Sequence, residues 1–367
     1  MNFVFFINSL ASGGAERVMV KLANHFANDH RVVLVTQTTP DSDSYPVNPT
    51  VRRISLNAGR PSTNSWQALI NNITRWRRLR QILRREQPNA LLCFMPTANV
   101  LGLLAAIGRQ TPVYVSERVH PPFAEVSSMR RRLQRLLYPR AANVVLLSKA
   151  SVAWTQTHLN VQKLTVIPNG VSLPLPVNAP AINPADLLAA DEQVVLFVGR
   201  LVPQKQPDIA LDVFAANAGE KWKLVMIGQG QMAAELKEKV ASLNLTERVV
   251  FVPHAGNLQA WYERADIFLS TAKFEGSPNA LLEAMACGCA PLAFDCPTGP
   301  ADLIRHEENG LLFPLDAVNG LQHALGNLMA SSAQRQKLAQ AAQGVTREFS
   351  DQRFKKAWSN LLTGSHG

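Results

Sequence analysis

The sequence predicts an α/β protein with two Rossmann-like domains that face each other across a cleft. Short apolar runs alternate with helical patterns in both halves of the 367 residues, as expected for parallel strands joined by crossover helices. A proline-rich stretch, from Pro174 to Pro184, separates the two series and is the best candidate for a linker. We therefore expect domains at residues 1–172 and 185–345, with a C-terminal helix near 346–362 that packs back on the first domain.

Each element is assigned from its hydrophobic pattern. Short continuous apolar runs are typical of strands buried in a parallel sheet, and apolar residues three and four apart indicate helices. In the first half the predicted strands are 3–8, 32–37, 90–94, 113–116 and 144–147, and the helices lie near 14–28, 65–86, 98–108, 126–138 and 149–157. In the second half, strands 194–199, 223–227, 249–253, 267–270 and 290–293 alternate with helices, and residues 316–361 are helical.

Composition narrows the class of protein. With 47% hydrophobic residues, the chain can bury extensive cores. It contains no run of 18 uncharged apolar residues, and its apolar start, residues 1–7, lacks the basic flank of a signal peptide. We therefore expect a cytoplasmic protein without a spanning helix, whose four cysteines remain reduced thiols.

The net charge of +10 is unevenly distributed. Residues 1–180 hold 21 Lys and Arg against 7 Asp and Glu, whereas residues 181–367 hold 16 against 20. This imbalance predicts that the first half meets an anionic surface. Its arginines cluster on two predicted helices, one carrying Arg75, Arg77, Arg78, Arg80, Arg84 and Arg85 and the other Arg130, Arg131, Arg132, Arg135 and Arg140.

The second arginine helix also carries Leu133, Leu136 and Leu137. Basic residues beside an apolar stripe are typical of a helix that lies on a membrane surface, and an ordinary solvated face is the alternative. Nucleic acid is not an expected partner, because no recognised nucleic-acid module accompanies the charge.

Two carboxylates eight residues apart give the strongest chemical signal. Glu275 lies on a loop beside Gly276 and Pro278, and Glu283 lies in a helix predicted to begin near Asn279. Free N–H groups at a helix N-terminus bind anions, so this segment suits a polyol flanked by phosphates. An ordinary capped amphipathic helix is the alternative.

Two further loops follow predicted strands. Arg200 and Lys205 follow the strand at 194–199, and a guanidinium fork and an ammonium both suit a diphosphate, although a solvated pair is the alternative. Gly13 and Gly14 open the first helix, where glycine lets a substrate approach the helix N-terminus.

These segments resemble the motifs of the retaining glycosyltransferases of family 4, which have the GT-B fold. Residues 275–283 are similar to the family's E-x7-E motif, residues 199–205 to its G-R-L-x-x-x-K element, and residues 13–17 to its Gly-Gly-Ala-Glu-Arg string. The resemblance spans nearly the full length. It implies transfer of a hexose or N-acetylhexosamine from a nucleotide sugar, with UDP expected, to a glycan on a polyprenyl pyrophosphate in bacterial polysaccharide biosynthesis.

The resemblance also implies site residues and a location. Donor contacts fall to Gly13, Gly14, Arg200, Lys205, Pro253, Glu275, Gly276, Ser277, Pro278, Asn279 and Glu283. An acceptor contact falls to Arg17, and the charge pattern, not the resemblance, adds Arg130, Arg131, Arg132 and Arg135 as acceptor or membrane contacts at the cytoplasmic face of the inner membrane. No cofactor or metal is expected, because cationic side chains and helix dipoles can carry the charge of the leaving diphosphate.

One departure from the family concerns the strand that ends at Ser116. Many members carry a histidine after this strand, near the donor sugar, whereas Glu117 and Arg118 follow it here, with His120 beyond. Arginine cannot act as a base, so Arg118 is expected to hold a phosphate or orient the acceptor. Glu117 and His120 are the candidates for acid–base or orienting roles.

Two other motifs suggest different classes of protein. Residues 228–233 fit G-x-G-x-x-A, which would indicate an NAD-dependent oxidoreductase. Asp41 and Asp43 have the spacing with which metal-dependent transferases of the other major fold hold Mn²⁺, but their Pro/Ser-rich surroundings favour a solvated turn. A non-catalytic nucleotide-sugar-binding protein is a third possibility.

Overall fold

A computed structural model describes residues 1–11, 13–57, 65–124 and 126–364. The chain forms two compact units. Unit 1 comprises Met1–Asn169 and Gln352–Gly367, and unit 2 comprises Gly170–Asp351. Each unit contains one parallel sheet with helices between consecutive strands, which confirms the predicted α/β class with two Rossmann-like domains.

The sheet of unit 1 has seven strands: β1 (Asn2–Ile7), β2 (Arg31–Thr36), β3 (Arg52–Ser55), β4 (Ala90–Phe94), β5 (Val113–Ser116), β6 (Asn143–Leu146) and β7 (Leu164–Val166). Their order is β3-β2-β1-β4-β5-β6-β7, and every pairing is parallel. The chain runs outward from β1 on one side and from β4 on the other, so the topological switch point lies between these two strands.

The helices of unit 1 are α1 (Gly14–Phe26), α2 (Ser65–Glu86), α3 (Pro96–Ala106), α4 (Ser128–Leu137) and α5 (Ala150–Leu159). On one face of the sheet, α2, α3 and α4 pack side by side over a core that includes Leu79, Leu83 and Leu137. The opposite face buries the side chains of Phe3 and Phe5 against α1.

The last helix of the chain spans Asp351–Thr363 and belongs mainly to unit 1. Its buried side chains, Phe354, Trp358 and Leu362, join the core around β1 and β4. The Trp358 ring lies 5.8 Å from the ring of Phe94, centroid to centroid. An apolar stripe at helical spacing therefore fixes the end of the chain to the first sheet.

The sheet of unit 2 has six parallel strands: β8 (Gln193–Val198), β9 (Trp222–Ile227), β10 (Val249–Val252), β11 (Ile267–Ser270), β12 (Ala290–Asp295) and β13 (Leu311–Pro314). Their order is β10-β9-β8-β11-β12-β13, so the switch point lies between β8 and β11. The helices are α6 (Pro207–Ala215), α7 (Ala233–Ser242), α8 (Leu258–Arg264), α9 (Asn279–Ala286), α10 (Pro300–Leu303), α11 (Val318–Ala330), α12 (Ser332–Ala342) and α13 (Val345–Glu348).

The proline-rich segment predicted as a linker is packed on unit 2. Leu175 and Leu188 are buried in the unit 2 core. The Asn178 amide donates a hydrogen bond to the Gly256 carbonyl at 2.9 Å, and the Gly256 amide donates to Pro180 at 2.7 Å. The segment is therefore part of a folded unit, because its backbone groups and apolar side chains have partners there.

Three short strands, β3, β7 and β13, go beyond the sequence prediction. Each lies at an edge of its sheet and has few fully buried residues. An edge strand needs no continuous apolar run, and the hydrophobic signal of β3 and β7 is accordingly weak, whereas β13 has a short apolar run that the prediction missed. Among the described residues, no helix is long and apolar enough to cross a membrane.

Candidate active site

The switch point of unit 2 brings two predicted loops together. The loop after β8 carries Arg200 and Lys205, and the loop after β11 carries Glu275. Because β8 and β11 are neighbours in a parallel sheet, both loops leave the same edge side by side. Residues about 70 positions apart in the sequence therefore meet at one place.

Lys205 and Glu275 form a direct ion pair between Nζ and Oε1. The Lys205 side chain is 20% exposed and that of Glu275 is 9% exposed. The pair is therefore largely screened from water but keeps a small accessible surface for a ligand. Both residues line one small cavity together with Thr271 and the start of α9. A cation and a carboxylate side by side can hold an anionic group and a hydroxyl of one ligand.

Backbone anchors fix the two loops to each other. The Thr271 hydroxyl donates to the carbonyl oxygens of Lys205, at 3.0 Å, and Gln206, at 2.8 Å. The Lys273 amide donates to the Gln204 carbonyl at 2.9 Å, and the Gln204 side chain donates to the Phe274 carbonyl at 3.0 Å. The ion pair is thus held by four hydrogen bonds that do not use its own charges.

The loop after β12 also contacts the Glu275 loop and supports it. The buried Thr298 hydroxyl donates to the Glu275 backbone carbonyl. Gly299 has a φ of +102°, and a Cβ at this position would clash with the ring of Pro278. These two residues were not identified from the sequence, although the turn residues Pro297, Gly299 and Pro300 mark a loop there.

The helix α9 begins at Asn279, as predicted, and places Glu283 one turn into the helix. The Glu283 side chain is buried, and its Oε2 lies 3.3 Å from the Tyr262 hydroxyl, which donates to it. Tyr262 comes from α8 and was not identified from the sequence, because nothing in its neighbourhood marks it as a partner of Glu283. The Gly276–Pro278 turn lies between Glu275 and Glu283, so one short segment carries both glutamates.

Arg200 is exposed at the same edge, and its Nη2 donates to Gln204 at 3.3 Å. Pro253, directly after β10, is also exposed at this edge, two strands away from β8. The structure therefore places Lys205, Glu275 and the start of α9 around one small cavity, whereas Arg200 borders this group and Pro253 lies further along the sheet.

The glycines at 228 and 230 have a packing role. A Cβ at Gly228 would clash with the carbonyl oxygen of Gly199, and a Cβ at Gly230 would clash with that of Leu201. The two glycines therefore let the loop after β9 lie against the loop that carries Arg200 and Lys205. This contact accounts for the G-x-G spacing without a dinucleotide.

In unit 1, the Gly13–Gly14 loop follows β1 at the switch point and opens α1. The Gly13 amide donates to the Tyr45 hydroxyl at 3.1 Å, and that hydroxyl donates to the Gly13 carbonyl at 3.0 Å. Glu16 folds back over this turn, since a Cβ at Gly13 would clash with its carboxylate. Arg17 is half-buried in the first turn of α1, and Ser12 lies outside the described residues.

Glu117 and Arg118 follow β5 and point in different directions. The Glu117 carboxylate is buried beneath α3 and α4, where it accepts hydrogen bonds from Asn99, Gln134 and Tyr138. Burial raises its pKa, and these hydrogen bonds oppose the rise. The structure therefore encloses this carboxyl in a polar cluster, away from solvent, and an acid–base role is not supported by its position.

The Arg118 guanidinium turns towards the core on the α1 side of the sheet. It stacks on Phe94, with its central carbon 4.7 Å from the ring centroid, and donates to the Asn169 side chain. Burial lowers the pKa of Arg118 to about 9, and the nearby charge of Glu16 opposes this shift. A guanidinium in this position keeps its charge at neutral pH at a cost in desolvation, which an anionic ligand could offset.

His120 lies at the start of a short turn that leads to α4. Its Nδ1 lies 2.8 Å from the Ser151 hydroxyl at the start of α5. Burial lowers the pKa of His120, so the imidazole is neutral at pH 7. The three side chains after β5 therefore contact three different parts of unit 1.

The basic helix α4 differs from its sequence prediction in which residues face outward. Leu137 is buried and Leu133 packs on the core, so the predicted apolar stripe is wrong for these two. Arg131 donates to the Pro121 carbonyl at 2.8 Å and stacks on Trp154, so it is also directed inward. Arg130 is half-buried. The exposed residues of this helix are Ser128, Met129, Arg132, Arg135 and Leu136.

The Asp41/Asp43 pair does not resemble a metal site. Asp43 forms a bidentate ion pair with Arg53, at 2.9 and 3.0 Å, which uses both of its carboxylate oxygens. Asp41 is exposed. Within the part of the chain that the structure describes, no group of three or more His, Cys, Asp and Glu side chains could hold a metal ion.

Comparisons with known proteins agree with this architecture. A model described as Glycosyltransferase Family 4 matches residues 12–174, and one described as Glycosyl transferases group 1 matches residues 180–345. The GalNAc-α-(1→4)-GalNAc-α-(1→3)-diNAcBac-PP-undecaprenol α-1,4-N-acetyl-D-galactosaminyltransferase of Campylobacter jejuni is 27% identical over 365 residues, which cover 99% of this chain and 98% of the relative.

Solved structures share the fold. Sucrose-phosphate synthase from Thermosynechococcus elongatus has a TM-score of 0.83 at 19% identity, covering 99% of this chain and 100% of that one. HepE from Anabaena in complex with UDP has a TM-score of 0.77 at 19% identity, covering 100% of both chains. The fold and these matches define a glycosyltransferase with the GT-B fold. The chain belongs to family 4 of the glycosyltransferases, and the alternatives of an oxidoreductase and a non-catalytic binding protein are wrong.

Proposed function

We propose that this enzyme transfers a hexose or N-acetylhexosamine from a UDP-sugar to a glycan on a polyprenyl diphosphate, with retention of configuration. Unit 2 would bind the nucleotide sugar, and unit 1 would bind the acceptor. The observation that carries the proposal is the ion pair of Lys205 with Glu275 at the switch point of unit 2. It joins a phosphate-binding cation to a carboxylate that can accept hydrogen bonds from sugar hydroxyls.

The donor contacts follow from the order of groups around this pair. Lys205 and Arg200 would hold the diphosphate, and the amides at the start of α9 would add partial positive charge. Glu283, one turn further along α9, would accept hydrogen bonds from the ribose hydroxyls. Uridine as the nucleoside is supported by the HepE structure, which contains UDP on the same fold.

Retention fits a site in which the departing diphosphate is also the base. The acceptor oxygen would bond to the anomeric carbon on the face from which the diphosphate leaves, as the bond from that carbon to the phosphate oxygen breaks. The acceptor proton would pass to the leaving phosphate oxygen. Because negative charge on the diphosphate grows in this step, Lys205 and Arg200 would stabilise the transition state more than the ground state.

Glu117 and His120 do not supply a better base. Glu117 is enclosed by hydrogen-bond donors, and His120 contacts Ser151 through its Nδ1. Arg118 is better suited to orient an anionic group, because its buried guanidinium gains from a negative partner. We therefore assign Arg118 to a phosphate of a substrate and leave the proton transfer to the substrates themselves.

A lipid-linked acceptor is supported by the name of the Campylobacter relative, which specifies a glycan on PP-undecaprenol. The exposed face of α4 combines Arg132 and Arg135 with Met129 and Leu136, which are 64% and 60% exposed. The first turns of α2 expose a second apolar group, Trp66, Ile70 and Ile73. Such faces suit the anionic inner membrane on its cytoplasmic side, with arginine attracted to headgroups and apolar side chains to the acyl boundary.

The proposal is tested by UDP release from UDP-GlcNAc, UDP-GalNAc, UDP-glucose and UDP-galactose, with and without a lipid-diphosphate-linked sugar. One donor should be consumed, and the acceptor should accelerate its consumption. NMR of the product should show an α-anomeric proton when the donor is α-linked. Consumption of only GDP- or ADP-sugars would contradict the assignment of UDP, and a β-linked product would contradict retention.

A further inference from the structure

A closed cluster of polar side chains lies beneath α4, and the proposed transfer does not use it directly. We call it the Glu117 cluster: Asn99 of α3, Glu117 after β5, Gln134 of α4, and Tyr138 just beyond α4. All four residues are buried, with exposed fractions of 0 to 2%. A polar group in such a place must be held by its neighbours, because burial without a partner costs free energy.

One carboxylate oxygen is the centre of the cluster. Glu117 Oε1 accepts hydrogen bonds from the Tyr138 hydroxyl, from Gln134 Nε2 at 3.1 Å and from Asn99 Nδ2 at 3.4 Å. The donors also contact one another, since Asn99 Nδ2 and Gln134 Nε2 lie 3.1 and 3.0 Å from the Tyr138 oxygen. Glu117 Oε2 is buried and has no hydrogen-bond partner among the described residues.

The cluster lies between the exposed face of α4 and a buried arginine on the other face of the sheet. Gln134 and Tyr138 come from the inner side of α4 and its end, whereas Arg132 and Arg135 lie on the outer side of the same helix. The residue after Glu117 is Arg118, whose guanidinium lies on the other face of the sheet against Phe94. A change in the position of α4 would therefore be transmitted through Glu117 to the segment that carries Arg118 and His120.

We infer that Glu117 is a positioning residue that fixes the segment after β5 to α4. In this way it aligns Arg118 with the acceptor-binding surface. The inference rests on the proposed function, because that function assigns the acceptor to unit 1, the membrane that carries it to the outer face of α4, and a substrate phosphate to Arg118. It needs an oxygen that accepts hydrogen bonds at position 117, and it does not need a group that exchanges a proton with substrate.

Glutamine at position 117 separates the two roles, because its amide oxygen can accept hydrogen bonds but the amide cannot exchange a proton with substrate as a carboxyl group does. The amide oxygen of Glu117→Gln can accept from the same three donors, and its NH2 group takes the place of the unpartnered Oε2. Glu117→Gln should therefore keep kcat within about threefold of the wild type. Glu117→Ala removes the shared acceptor and should lower kcat roughly ten- to a hundredfold, since misplaced groups cost about that much in rate.

A matched control separates positioning from a loss of stability. Leu83→Ala removes a buried side chain from the core on the same face of the sheet without touching the cluster. We expect it to lower Tm at least as much as Glu117→Ala, with kcat little changed at a temperature where both variants are folded. Tyr138→Phe should lower kcat in the same direction as Glu117→Ala, and the double variant should be no slower than Glu117→Ala alone.

The measurements are kcat and KM for UDP release from the UDP-sugar that the wild type consumes, together with UDP binding by calorimetry. UDP affinity should be equal in all variants, because the assigned nucleotide contacts lie in unit 2. If Glu117→Gln loses as much kcat as Glu117→Ala, Glu117 acts as an acid or base and the inference is overturned. Full activity of Glu117→Ala would also overturn it.

A failure of the proposed function would look different. In that case the wild type would release no UDP from any UDP-sugar. The donor that it does consume, found among GDP- and ADP-sugars, would then serve for the same comparison of Glu117→Gln with Glu117→Ala. Equal loss in the two variants would overturn the inference there as well, so the two failures are distinguishable.

Discussion

Two glutamates follow the carboxyl ends of parallel strands, one in each unit, and their side chains make different contacts. Glu275 follows β11 and pairs with a cation, Lys205, at an accessible edge of the sheet. Glu117 follows β5 and meets uncharged donors beneath a helix. The same residue type after a parallel strand, at the switch point in unit 2 and one strand away from it in unit 1, thus pairs with a cation in one unit and is an internal anchor in the other.

The difference lies in how each carboxylate is supported. The Glu275 loop is held through its backbone, by Thr298 and by the contacts around Gln204, so the side chain is available to a ligand. The Glu117 side chain instead supports the segment after β5, because its carboxylate accepts the hydrogen bonds that join α3 and α4 to the end of this strand. Position at the switch point predicts where function is found, and the contacts of each side chain decide which residue performs it.

The largest effect is expected from the cations of unit 2. Lys205→Ala and Arg200→Ala should each lower kcat, Lys205→Ala by roughly a hundred- to a thousandfold, because the diphosphate gains charge as the sugar leaves. Donor KM should change much less, and the double variant should fall short of the product of the single effects, since both serve one phosphate group. Steady-state kinetics of UDP release measures all three.

Thr298→Val is a useful companion to Lys205→Ala. It removes the hydroxyl that supports the Glu275 carbonyl and keeps the ion pair chemically intact. An effect on kcat as large as that of Lys205→Ala would mean that the support matters as much as the charge.

Treatment with EDTA should leave the wild type active, and a loss that Mn²⁺ restores would contradict the assignment of the diphosphate charge to Lys205 and Arg200.

Glu283→Ala should weaken the binding of UDP itself. Losing a charge-assisted hydrogen bond to the ribose costs about 1.5–3 kcal/mol, or roughly ten- to a hundredfold in affinity. Calorimetry with UDP alone measures this directly. Tyr262→Phe is the matched control, because it removes a contact to Glu283 at 3.3 Å and keeps the carboxylate. Unchanged affinity in folded Glu283→Ala would exclude Glu283 from the nucleotide site.

A smaller effect should follow from changes on the outer face of α4. Each arginine near an anionic surface contributes about 1 kcal/mol, so Arg132→Gln with Arg135→Gln should reduce sedimentation with phosphatidylglycerol vesicles at low salt. Transfer to a lipid-linked acceptor should slow in parallel, and donor hydrolysis in solution should not. Arg131→Gln is the control, because this arginine is directed inward and should matter little for vesicle binding.

Persistent binding of the Arg132→Gln/Arg135→Gln variant to vesicles would show that α4 is a solvated face. In that case Trp66→Ser with Ile70→Ser would examine the exposed apolar residues of α2 as an alternative contact. Loss of binding in that variant alone would assign the membrane contact to α2.

The sequence was sufficient for the parallel α/β architecture, and it singled out the residues that meet after β8 and β11, for physical reasons. Buried central strands have continuous apolar runs, and residues 275–283 concentrate glutamate, glycine and proline within a short segment. The edge strands β3 and β7 have no such run, whereas β13, with the sequence LLFP, has one and was still not predicted. Partners of Glu275 and Glu283, namely Thr298 and Tyr262, come from other loops and helices, and spacing along the chain does not identify them.

The Glu117 cluster shows the same limit more strongly. Its members come from residues 99, 117, 134 and 138, on separate elements, and the sequence singled out only Glu117 among them. Similarly, an arginine-rich helix predicts a charged face, but the packing of α4 decides that Arg131 is directed inward and Leu136 outward. Local composition predicts whether a helix face is charged, whereas tertiary contacts decide which of its residues are exposed.

The smallest expected effect concerns the pH dependence of stability and sharpens the contrast between the two glutamates. Burial raises the pKa of Glu117 above its ordinary value of 4.5, although the Tyr138 hydroxyl and the charge of Arg131 oppose the rise. The folded protein therefore binds this proton more tightly than the unfolded chain. The resulting stabilisation is complete below pH 4.5 and is lost as the pH rises through the folded pKa.

Glu117→Gln has no such proton to lose, so its Tm should exceed that of the wild type at neutral pH. The two Tm values should converge as the pH falls towards 4.5, where the wild-type carboxyl is protonated. Differential scanning calorimetry from pH 4.5 to 8 measures the difference. Glu275→Gln is the comparison, because it removes the ion pair with Lys205 and should give no gain at neutral pH. A Tm difference for Glu117→Gln that stays constant across this range would mean that the Glu117 carboxyl keeps the same charge in the folded and unfolded chains.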